Sequence, residues 1–463
     1  MENPLNDLGQ QLLDAAKLAG ADAADAMVVN GISNSIEVRD GQLEHAERAE
    51  GVEIGLRIFF GSRQACVSAS DMSPDNIKEM AMRAVQMAQH APDDIHIRQA
   101  KGSELCMEWD VDKLELVDPS PEPSAEGLKQ LALDAETSAL EVPGVSKCQS
   151  AGAGYSRRQV YLCMSNGFSG GYTRTDHGFS CVAISGSGTE MERDYDGDSR
   201  IFQQDLRSAS EVGLLAGTRA VASLGAQKPP TGVFPVLYDE RISSSLIGHL
   251  LAATNGTAIA RGASWLQDAM NSPVLPSGVS LTENPKRARV SGSKPFDGEG
   301  LCASERKIVS DGVLKEWTLD LSTAAKLGLK STGSAVRAPS APPAPGVGNV
   351  ELTQGVHTRE DLIRDMGTGL LLTSLIGSSI NENTGDYSRG ASGFWVENGE
   401  IVLIEGNELK SIKPFPAKKV KPCVFEYIYF SRPDSLIGGK TAYEHRKYIG
   451  RELAKENDTF ADI

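Results

Sequence analysis

The sequence predicts an α+β protein: an N-terminal helix and antiparallel-sheet domain, then a β-rich C-terminal domain, with a foreign, poorly packed tail. Three observations lead to this prediction. Two amphipathic helices flank alternating strands near the N-terminus. Glycine turns separate the β runs of the second half, and the composition changes after Glu400. With 463 residues, the chain is too long for one ordinary core.

The first 90 residues are expected to form one helix, several strands and a second helix. Apolar residues recur at helical spacing from Leu5 to Ala19. Short strands are predicted over 26–30 and 33–39, and strict alternation over 52–58 predicts a strand with one buried face. Ser73 and Pro74 are a helix cap and a first-turn proline, so a helix should follow to about His90.

Prolines and changes in composition divide the chain into four predicted segments: 1–90, 91–228, 229–402 and 403–463. A proline-rich connector opens the second, in which Ser124 is the predicted cap of a helix and another helix runs from about Ser210 to Leu224. Pro229 and Pro230 mark the start of the third. A strand over 233–238 and a helix over 242–251 should open it. Leu362–Ile376 is expected to form a short helix that breaks at its glycines.

Composition excludes several classes of function. The net charge of −16 argues against a nucleic-acid surface. The N-terminus shows no signal-peptide pattern, and no apolar run is long enough for a membrane span, so a cytoplasmic protein is expected. Seven scattered cysteines with no C-x-x-C pair predict reduced thiols.

Short motifs do not assemble a convincing catalytic set. None of the seven histidines is paired at zinc-helix spacing, and His249 is either a satisfied helix histidine or a lone ligand. The acidic run 190–198 is either half of a calcium loop or a solvated strand end; the first reading lacks the required glycine. Residues 167–171 match G-x-S-x-G, yet strand-like residues follow, which favours a glycine hairpin. The S-x-x-K match at 304–307 lacks its companion motifs.

One stretch, Asn381–Glu400, is distinctive. It combines four glycines, one arginine and a Phe-Trp pair, and the last glycine belongs to an Asn-Gly turn near its end. A glycine-rich loop that enters a hairpin is the structure it predicts.

Residues 10–400 resemble the TldD/PmbA family, and specifically its PmbA (TldE) branch. The resemblance rests on five stretches: Glu50–Phe59 (EGVEIGLRIF), Met191–Arg200 (MERDYDGDSR), Asp297–Leu301 (DGEGL), Asp320–Asn349 and Thr384–Glu400 (TGDYSRGASGFWVENGE). The family is described as metallopeptidases and also as modulators of DNA gyrase.

The resemblance implies a subunit without its own metal centre. In this family the TldD subunit carries an H-E-x-x-x-H helix, and here Ser244, Ser245 and His249 stand at the corresponding positions. Zinc is therefore expected only in a TldD-like partner, and this chain is expected to have no catalytic residue. Loops that could line a shared cavity carry nine signature residues: Asp297, Glu299, Arg337, Asn349, Asp386, Tyr387, Arg389, Phe394 and Trp395.

The tail departs from the family. Residues 405–463 resemble an internal piece of amidophosphoribosyltransferase, most clearly at 421–435 (KPCVFEYIYFSRPDS). The net charge is +2 after Glu400 and −18 before it. That enzyme family's N-terminal nucleophile is absent, so the tail implies no transferase or glutaminase activity. A fusion or assembly artefact with a seam near 396–402 is the expected explanation, and a mobile or poorly packed region is expected after residue 405.

Two hypotheses for function follow. The first is a PmbA-type subunit, inactive alone, that forms a heterodimer with a TldD-like metallopeptidase or self-associates, and acts on peptides. The alternative is a stand-alone peptide-binding or regulatory protein without protease activity. A protein that carries H-E-x-x-x-H and co-purifies with this chain would distinguish them.

Overall fold

The computed structural model describes residues 4–377, 380–402, 436–437 and 440–456. The chain divides into two compact units. The first, called the body below, comprises residues 1–229 and 233–405, and the second comprises 230–232 and 406–463.

A six-stranded antiparallel sheet spans the first half of the body, in the order β3-β2-β1-β4-β5-β6. Its strands are β1 (Ala23–Arg39), β2 (Gln42–Phe60), β3 (Arg63–Ala69), β4 (Val145–Met164), β5 (Ser169–Ser185) and β6 (Glu192–Arg200). The prediction of two short strands over 26–30 and 33–39 is wrong, because these residues belong to the single strand β1. The reason is that β2 and β4 both pair with β1 across Gly31 and Ile32, so the ladder continues on both sides.

Four helices cover one face of this sheet: α1 (Pro4–Leu18), α2 (Pro74–His90), α3 (Ala125–Leu140) and α4 (Ala209–Ala222). The even-numbered residues of β1 point at them, because side chains alternate along a strand. Val28 packs with Leu12 and Met80, and Ile36 packs with the alanines of α3 and α4. The predicted helices are confirmed, and Ser124 Oγ accepts a hydrogen bond of 3.1 Å from the Gly127 N–H at the start of α3.

The α3–α4 contact depends on Gly213. A Cβ at this position would lie 2.0 Å from the Ala135 carbonyl oxygen, which is backbone and cannot rotate away. We expect Gly213→Ala to lower the free energy of unfolding by about 3 kcal/mol, the upper end of overpacking costs, in urea denaturation. Gly248→Ala is the control, because that exposed helical glycine has open space around it and should become about 0.5–1 kcal/mol more stable. Equal stability of both variants would contradict the prediction.

Part of the second face of the sheet, at the end of β2, is also buried. Ile54, Leu56 and Ile58 face the helices as the alternation predicts, yet Arg57 and Phe59 are also buried. Gly55 shows why, since a Cβ there would lie 2.2 Å from the Pro339 carbonyl oxygen. The prediction of a single buried face is wrong because the third segment of the chain covers the other face.

That segment is rich in short strands. Its elements are β7 (Val236–Tyr238), α5 (Glu240–Ala253), α6 (Gly256–Ala260), β8 (Leu281–Glu283), β9 (Arg306–Ser310), β10 (Val313–Leu314), α7 (Leu321–Leu327), β11 (Ala335–Val336), β12 (Ala344–Pro345), β13 (Val350–Leu352), α8 (Arg359–Met366), β14 (Gly369–Ile376), β15 (Gly390–Glu397) and β16 (Glu400–Val402). They form sheets ordered β10-β9-β8-β13, β11-β12 and β16-β15-β14-β7. Leu281, Ile308 and Leu314 lie at the centre of its core.

Leu362–Ile376 is partly helix and partly strand. The helix α8 ends at Gly367, whose φ of 67° is unfavourable for other residues. The chain then enters β14, which pairs with β7 on one side and β15 on the other. The expected break is therefore confirmed, and the strand that follows it depends on partners distant in sequence.

Two ambiguous motifs belong to the sheet. The G-x-S-x-G match lies at the β4–β5 hairpin, and Ser169 begins β5 as the hairpin interpretation predicts. The acidic run forms β6, not a calcium loop. Arginines bind its carboxylates, with Asp194 at 2.8 Å from Arg241 and Asp196 at 2.7 Å from Arg219.

The cysteine prediction is wrong for one pair. Cys106 and Cys302, separated by 196 residues, form a disulfide. Antiparallel pairing of Leu105 with Leu301 places the two cysteines side by side. Cys66, Cys148, Cys163 and Cys181 are free thiols, as predicted, and Cys423 lies outside the described residues.

In the second unit the structure describes β17 (Leu436–Ile437), β18 (Lys440–Thr441) and α9 (Ala442–Glu456). Residues 403–435, where poor packing is expected, lie outside the described residues. Within the described ranges, we find no helix with the length and apolar character to cross a membrane.

Candidate functional site

Helix α5 carries Ser244, Ser245 and His249, the three positions at which the resemblance implies the zinc helix of a TldD subunit. It begins at the N-cap Asp239, whose Oδ1 accepts a hydrogen bond of 3.2 Å from the Arg241 N–H. The helix packs on β14, next to the parallel pair of β7 and β14. Strand β7 therefore ends at Tyr238 beside the first turn of α5.

His249 faces the loop that precedes β15. Its Nε2 is buried, and no atom of the described residues forms a hydrogen bond with it. The imidazole lies 5.4 Å from the ring of Tyr387, measured between centroids. Arg389, two residues further along, also has a buried Nε without a hydrogen-bond partner in the described structure.

Tyr238 completes this group, which we call the α5 cluster (Tyr238, His249, Tyr387 and Arg389). Burial raises the pKa of Tyr238, and the hydrogen bond between its side chain and that of Tyr387 raises it further. Tyr387 is 36% exposed, so the cluster opens to the surface at that ring. His249 Nε2 and Arg389 Nε are thus buried without hydrogen-bond partners in the described structure, beside the exposed ring of Tyr387. This arrangement is suited to binding the polar groups of a ligand.

The loop that carries Tyr387 and Arg389 is anchored from behind. The Trp265 N–H donates a hydrogen bond of 2.9 Å to the Glu382 carbonyl oxygen. The Asp386 carboxylate accepts a bond of 2.8 Å from the Thr384 hydroxyl. Gly385 has a φ of 77° and lies against the Trp265 ring, so a side chain there would be strained and would clash. Asp386 therefore shapes the loop.

The residues of α5 do not fit a zinc site. Structural and catalytic zinc sites use at least three His, Cys, Asp or Glu ligands. Ser244 is exposed, and the Ser245 hydroxyl donates to the Ile242 carbonyl oxygen at 2.6 Å. In the part of the chain that the structure describes, no three potential ligand side chains are grouped for a metal ion. No step of a reaction is therefore assigned to a metal in this chain.

Phe394 and Trp395 lie in the hairpin of β15 and β16. Phe394 packs against the small core of Ile363, Leu371 and Val396. The Trp395 ring is 4.8 Å from that of Phe234, and its Nε1 donates to Glu397 at 2.8 Å. Both aromatic residues thus support the loop from within the hairpin.

Three other predicted residues meet at a second place, which we call the junction cluster (Asp25, Arg57, Asp297, Glu299 and Arg337). Asp297 accepts three backbone hydrogen bonds, from the N–H groups of Glu299 and Leu301 at 2.9 Å and of Ala335 at 3.1 Å. These bonds hold the DGEGL loop against β11. Asp297 thereby positions its neighbours Glu299 and Arg337.

The centre of the junction cluster is Asp25 of β1. Its carboxylate is fully buried and receives Arg57 Nε at 2.5 Å and Arg337 Nη1 at 3.3 Å. The Arg337 side chain is only 1% exposed, and burial lowers its pKa. One carboxylate from the sheet therefore holds one guanidinium from each of two segments.

Glu299 is buried beside this pair. Burial, together with the charges of Asp297 and Asp320, raises its pKa well above the usual value of 4.5, although Arg57 acts in the opposite direction. Its Oε2 accepts a hydrogen bond of 2.8 Å from the Leu321 N–H. Glu299 is therefore protonated well above the pH range where a carboxyl in water ionises.

This pKa predicts a pH-dependent effect for Glu299→Gln. Because the folded-state pKa lies above the unfolded one, the stability linked to Glu299 is complete below about pH 4.5 and is lost as the pH rises through the folded pKa. Glutamine mimics the protonated acid, so the variant should match the wild type near pH 4 and exceed its stability increasingly towards pH 8. Denaturant titrations across that range measure the difference.

Glu104→Gln is a control of opposite sign. The hydrogen bond from Arg98 lowers the pKa of Glu104, so its contribution is present above the unfolded pKa and is lost as the pH falls. That variant should become less stable relative to wild type as the pH rises. A pH-independent difference for Glu299→Gln would contradict the prediction.

Asn349 takes part in neither cluster. Its Nδ2 donates to the Ser293 hydroxyl at 2.7 Å and to the Asn284 carbonyl oxygen at 3.1 Å. These bonds tie β13 to the segment after β8. Asn349 therefore supports the third segment internally.

Sequence reasoning missed Asp25, Arg57 and Tyr238. Arg57 stands in an otherwise apolar strand, Gly55–Phe60, and Asp25 stands between alanines that begin another buried strand. A charged residue inside a buried strand needs a partner, and this was the signal available. Tyr238 carries no comparable signal, because tyrosine at a strand end is ordinary.

Three family domains match the body of the chain and define its class. They are PmbA/TldA metallopeptidase domain 1 over 24–88, the central domain over 118–224 and the C-terminal domain over 231–409. The chain belongs to the PmbA/TldD metallopeptidase family.

Relatives place it in the PmbA (TldE) branch. Metalloprotease PmbA of Escherichia coli O157:H7 is 32% identical, over 84% of this chain and 85% of that protein. The Metalloprotease PmbA homolog of Haemophilus influenzae is 34% identical, over 84% of each.

Solved structures show the same fold. A candidate modulator of DNA gyrase from Bacteroides thetaiotaomicron has a TM-score of 0.79 at 24% identity and covers 86% of this chain and 88% of its own. TldE from Thermococcus kodakarensis has a TM-score of 0.72 at 19% identity, with coverage of 85% and 89%.

The tail has a separate relative. Amidophosphoribosyltransferase of Rhizobium etli is 45% identical over 73 residues, which are 15% of each chain. The resemblance of the tail to that enzyme is thus confirmed for a short segment.

Proposed function

We propose that this chain is a PmbA/TldE-type subunit that is inactive alone and completes a peptide-cleaving metallopeptidase with a TldD-like partner. The observation that carries the proposal is the side-chain set of α5. Ser244 and Ser245 stand where the resemblance implies a histidine and a glutamate, and only His249 could bind a metal. A water molecule activated by zinc would therefore need ligands from the partner.

The α5 cluster is consistent with a role for this chain in binding the peptide substrate. The unpartnered nitrogens of His249 and Arg389 can donate to carbonyl oxygens, and the exposed Tyr387 ring offers an apolar face. An extended peptide substrate presents both backbone carbonyl oxygens, which accept hydrogen bonds, and apolar side chains, which pack on an aromatic ring. In this proposal zinc belongs to the partner, and this chain contributes one wall of the cavity.

A direct test compares the purified chain, a purified TldD-like partner and their mixture. We expect no stoichiometric zinc in this chain, a stable heterodimer by size-exclusion chromatography, and cleavage of an unfolded protein only by the zinc-loaded mixture. A chelator should abolish that cleavage. Stoichiometric zinc and cleavage by this chain alone would overturn the proposal. Peptide binding without association with any TldD-like protein would instead support the stand-alone alternative.

Within the complex, Arg389→Ala should lower kcat/KM for peptide cleavage about tenfold, equivalent to about 1.4 kcal/mol of lost binding in the transition state. Arg389 is half-buried at the α5 cluster, and its buried Nε has no hydrogen-bond partner among the described residues, so it can donate to a substrate. Arg364→Ala is the matched control, because that side chain is 69% exposed and, among the described residues, bonds only to Asp361. Equal activity of both variants would show that the α5 cluster does not contact the substrate.

A further inference from the structure

A cavity of about 350 Å³ lies beside the junction cluster, outside the α5 cluster. Five parts of the body line it: strands β2 and β3, the connector after α2, the α6 and α7 helices, the DGEGL loop, and the proline-rich segment that includes β12. The residues used below are Arg57, Gln64, Asp94, Arg98, Arg261, Glu299, Asp320 and Lys326, and the apolar walls come from Ile97, Ala260 and Pro342–Pro345. Its volume is at the lower end of the range for small-molecule sites.

Most charges around the cavity are already neutralised. Lys326 Nζ lies 2.8 Å from Asp94, and Arg98 is bound at 2.6 Å by Glu104, just outside the cavity. Arg57 is paired with Asp25. These three pairs leave little net charge for a ligand to sense.

Two opposite charges remain. For Arg261, at the end of α6, the described residues provide neither an ion pair nor a side-chain hydrogen bond. Asp320, the N-cap of α7, accepts from the Thr323 N–H at 2.8 Å and from the Thr323 hydroxyl at 2.6 Å, both through Oδ1, and no described residue donates to its Oδ2. One guanidinium and one carboxylate oxygen are therefore available on the cavity wall.

Neutral polar groups add to this pattern. Gln64 Oε1 is shut off from solvent and accepts no hydrogen bond within the described structure. A buried carbonyl oxygen without a donor costs free energy, and a ligand N–H would remove that cost. Burial raises the pKa of the Glu299 carboxyl, which disfavours a negative charge that would repel a ligand carboxylate.

We propose that this cavity binds a small zwitterion with an α-ammonium and a carboxylate group, an amino acid or a dipeptide. Its carboxylate pairs with Arg261, and its ammonium lies between Asp320 and Gln64. The prolines and Ile97 cover the aliphatic part. The site is complete within this chain, so the inference does not depend on the proposed partner or on peptidase activity.

Isothermal titration of the full chain tests the proposal with L-leucine and with the dipeptide Ala-Leu as separate probes. We expect saturable binding of at least one of them at concentrations up to about 10 mM, where weak small-ligand binding remains measurable. N-acetylation or C-terminal amidation of the bound probe should each weaken binding at least about tenfold, because each removes one charge.

Variants assign the two charges. Arg261→Gln should weaken binding of the free probe about tenfold or more and leave the affinity for its amide unchanged. Asp320→Asn should weaken binding of the free probe to a similar extent and leave the affinity for the N-acetylated probe unchanged. Asparagine also caps helices well, so this variant should keep the helix cap. Arg83→Gln, an exposed arginine of α2, is the matched control and should bind like the wild type. Circular dichroism and the midpoint of urea unfolding verify that each variant is folded.

Three results would overturn the proposal. The first is no saturable binding of either probe. The second is binding that Arg261→Gln leaves unchanged in a folded variant. The third is inorganic phosphate binding as tightly as the zwitterion, which would define a plain anion site. Since none of these assays uses peptide cleavage, failure here leaves the proposed function untouched, and failure of the partner experiment leaves this proposal untouched.

Discussion

Replacing Asp25 by alanine is expected to lower the free energy of unfolding of the body by about 3–5 kcal/mol, the cost of removing one partner from a buried ion pair. The carboxylate is fully buried and binds Arg57 and Arg337. Those side chains are 5% and 1% exposed, so neither guanidinium can recover its hydration when the carboxylate is lost. Urea denaturation followed by tryptophan fluorescence measures the change.

Asp14→Asn is the control for this prediction. Asp14 is exposed on α1 and accepts a single bond from Gln10, so its replacement should change stability by no more than about 0.5 kcal/mol. The double variant Asp25→Ala with Arg337→Met should recover part of the loss, since it removes one of the unpaired charges. If Asp25→Ala were as stable as Asp14→Asn, the junction cluster would not hold the segments together.

Breaking the Cys106–Cys302 disulfide is expected to cost about 2–5 kcal/mol, because the bond closes a long loop and restricts the unfolded chain. The separation of 196 residues links the connector to the DGEGL region. Cys302 is exposed, so a reductant can reach the bond. The wild type should therefore unfold at a lower urea concentration after reduction.

Cys302→Ser separates the effect of the bond from general effects of the reductant. The variant should be less stable than the oxidised wild type and insensitive to added reductant. Alkylation followed by intact mass measurement counts the free thiols in each sample. Unchanged stability of a wild type shown by mass to be fully reduced would contradict the prediction.

Local structure followed closely from local pattern. The amphipathic repeats of α1 and α2, the cap at Ser124 and the Asn398–Gly399 turn each depend on neighbouring residues, so a single sequence contains what they need. Asn398 and Gly399 adopt φ angles of 53° and 77°, as the predicted hairpin turn requires. The family motifs are likewise short contiguous segments.

The sites depended on contacts that the pattern does not encode. Asp297, Glu299 and Arg337 were found as motif residues, but Asp25, the ion-pair partner of Arg337, lies 312 positions away in the sequence. The loop from Tyr387 to Arg389 was predicted as distinctive from its motif. Its contact with His249, which lies on helix α5 more than 130 residues earlier, was not predicted. Neither pairing leaves a periodic signal.

The sequence by itself determined the α+β class, the family, the main helices and the hairpin at 390–402, because these follow from nearest neighbours and short motifs. Only the tertiary structure decided that the last part of β2, Ile54–Phe59, is buried on both faces. It also decided that Cys106 meets Cys302, and that Arg261 and Asp320 are the two charges left without an ion-pair partner among the described residues around one cavity. The physical reason is that burial, cross-linking and charge pairing are set by which distant segments pack together.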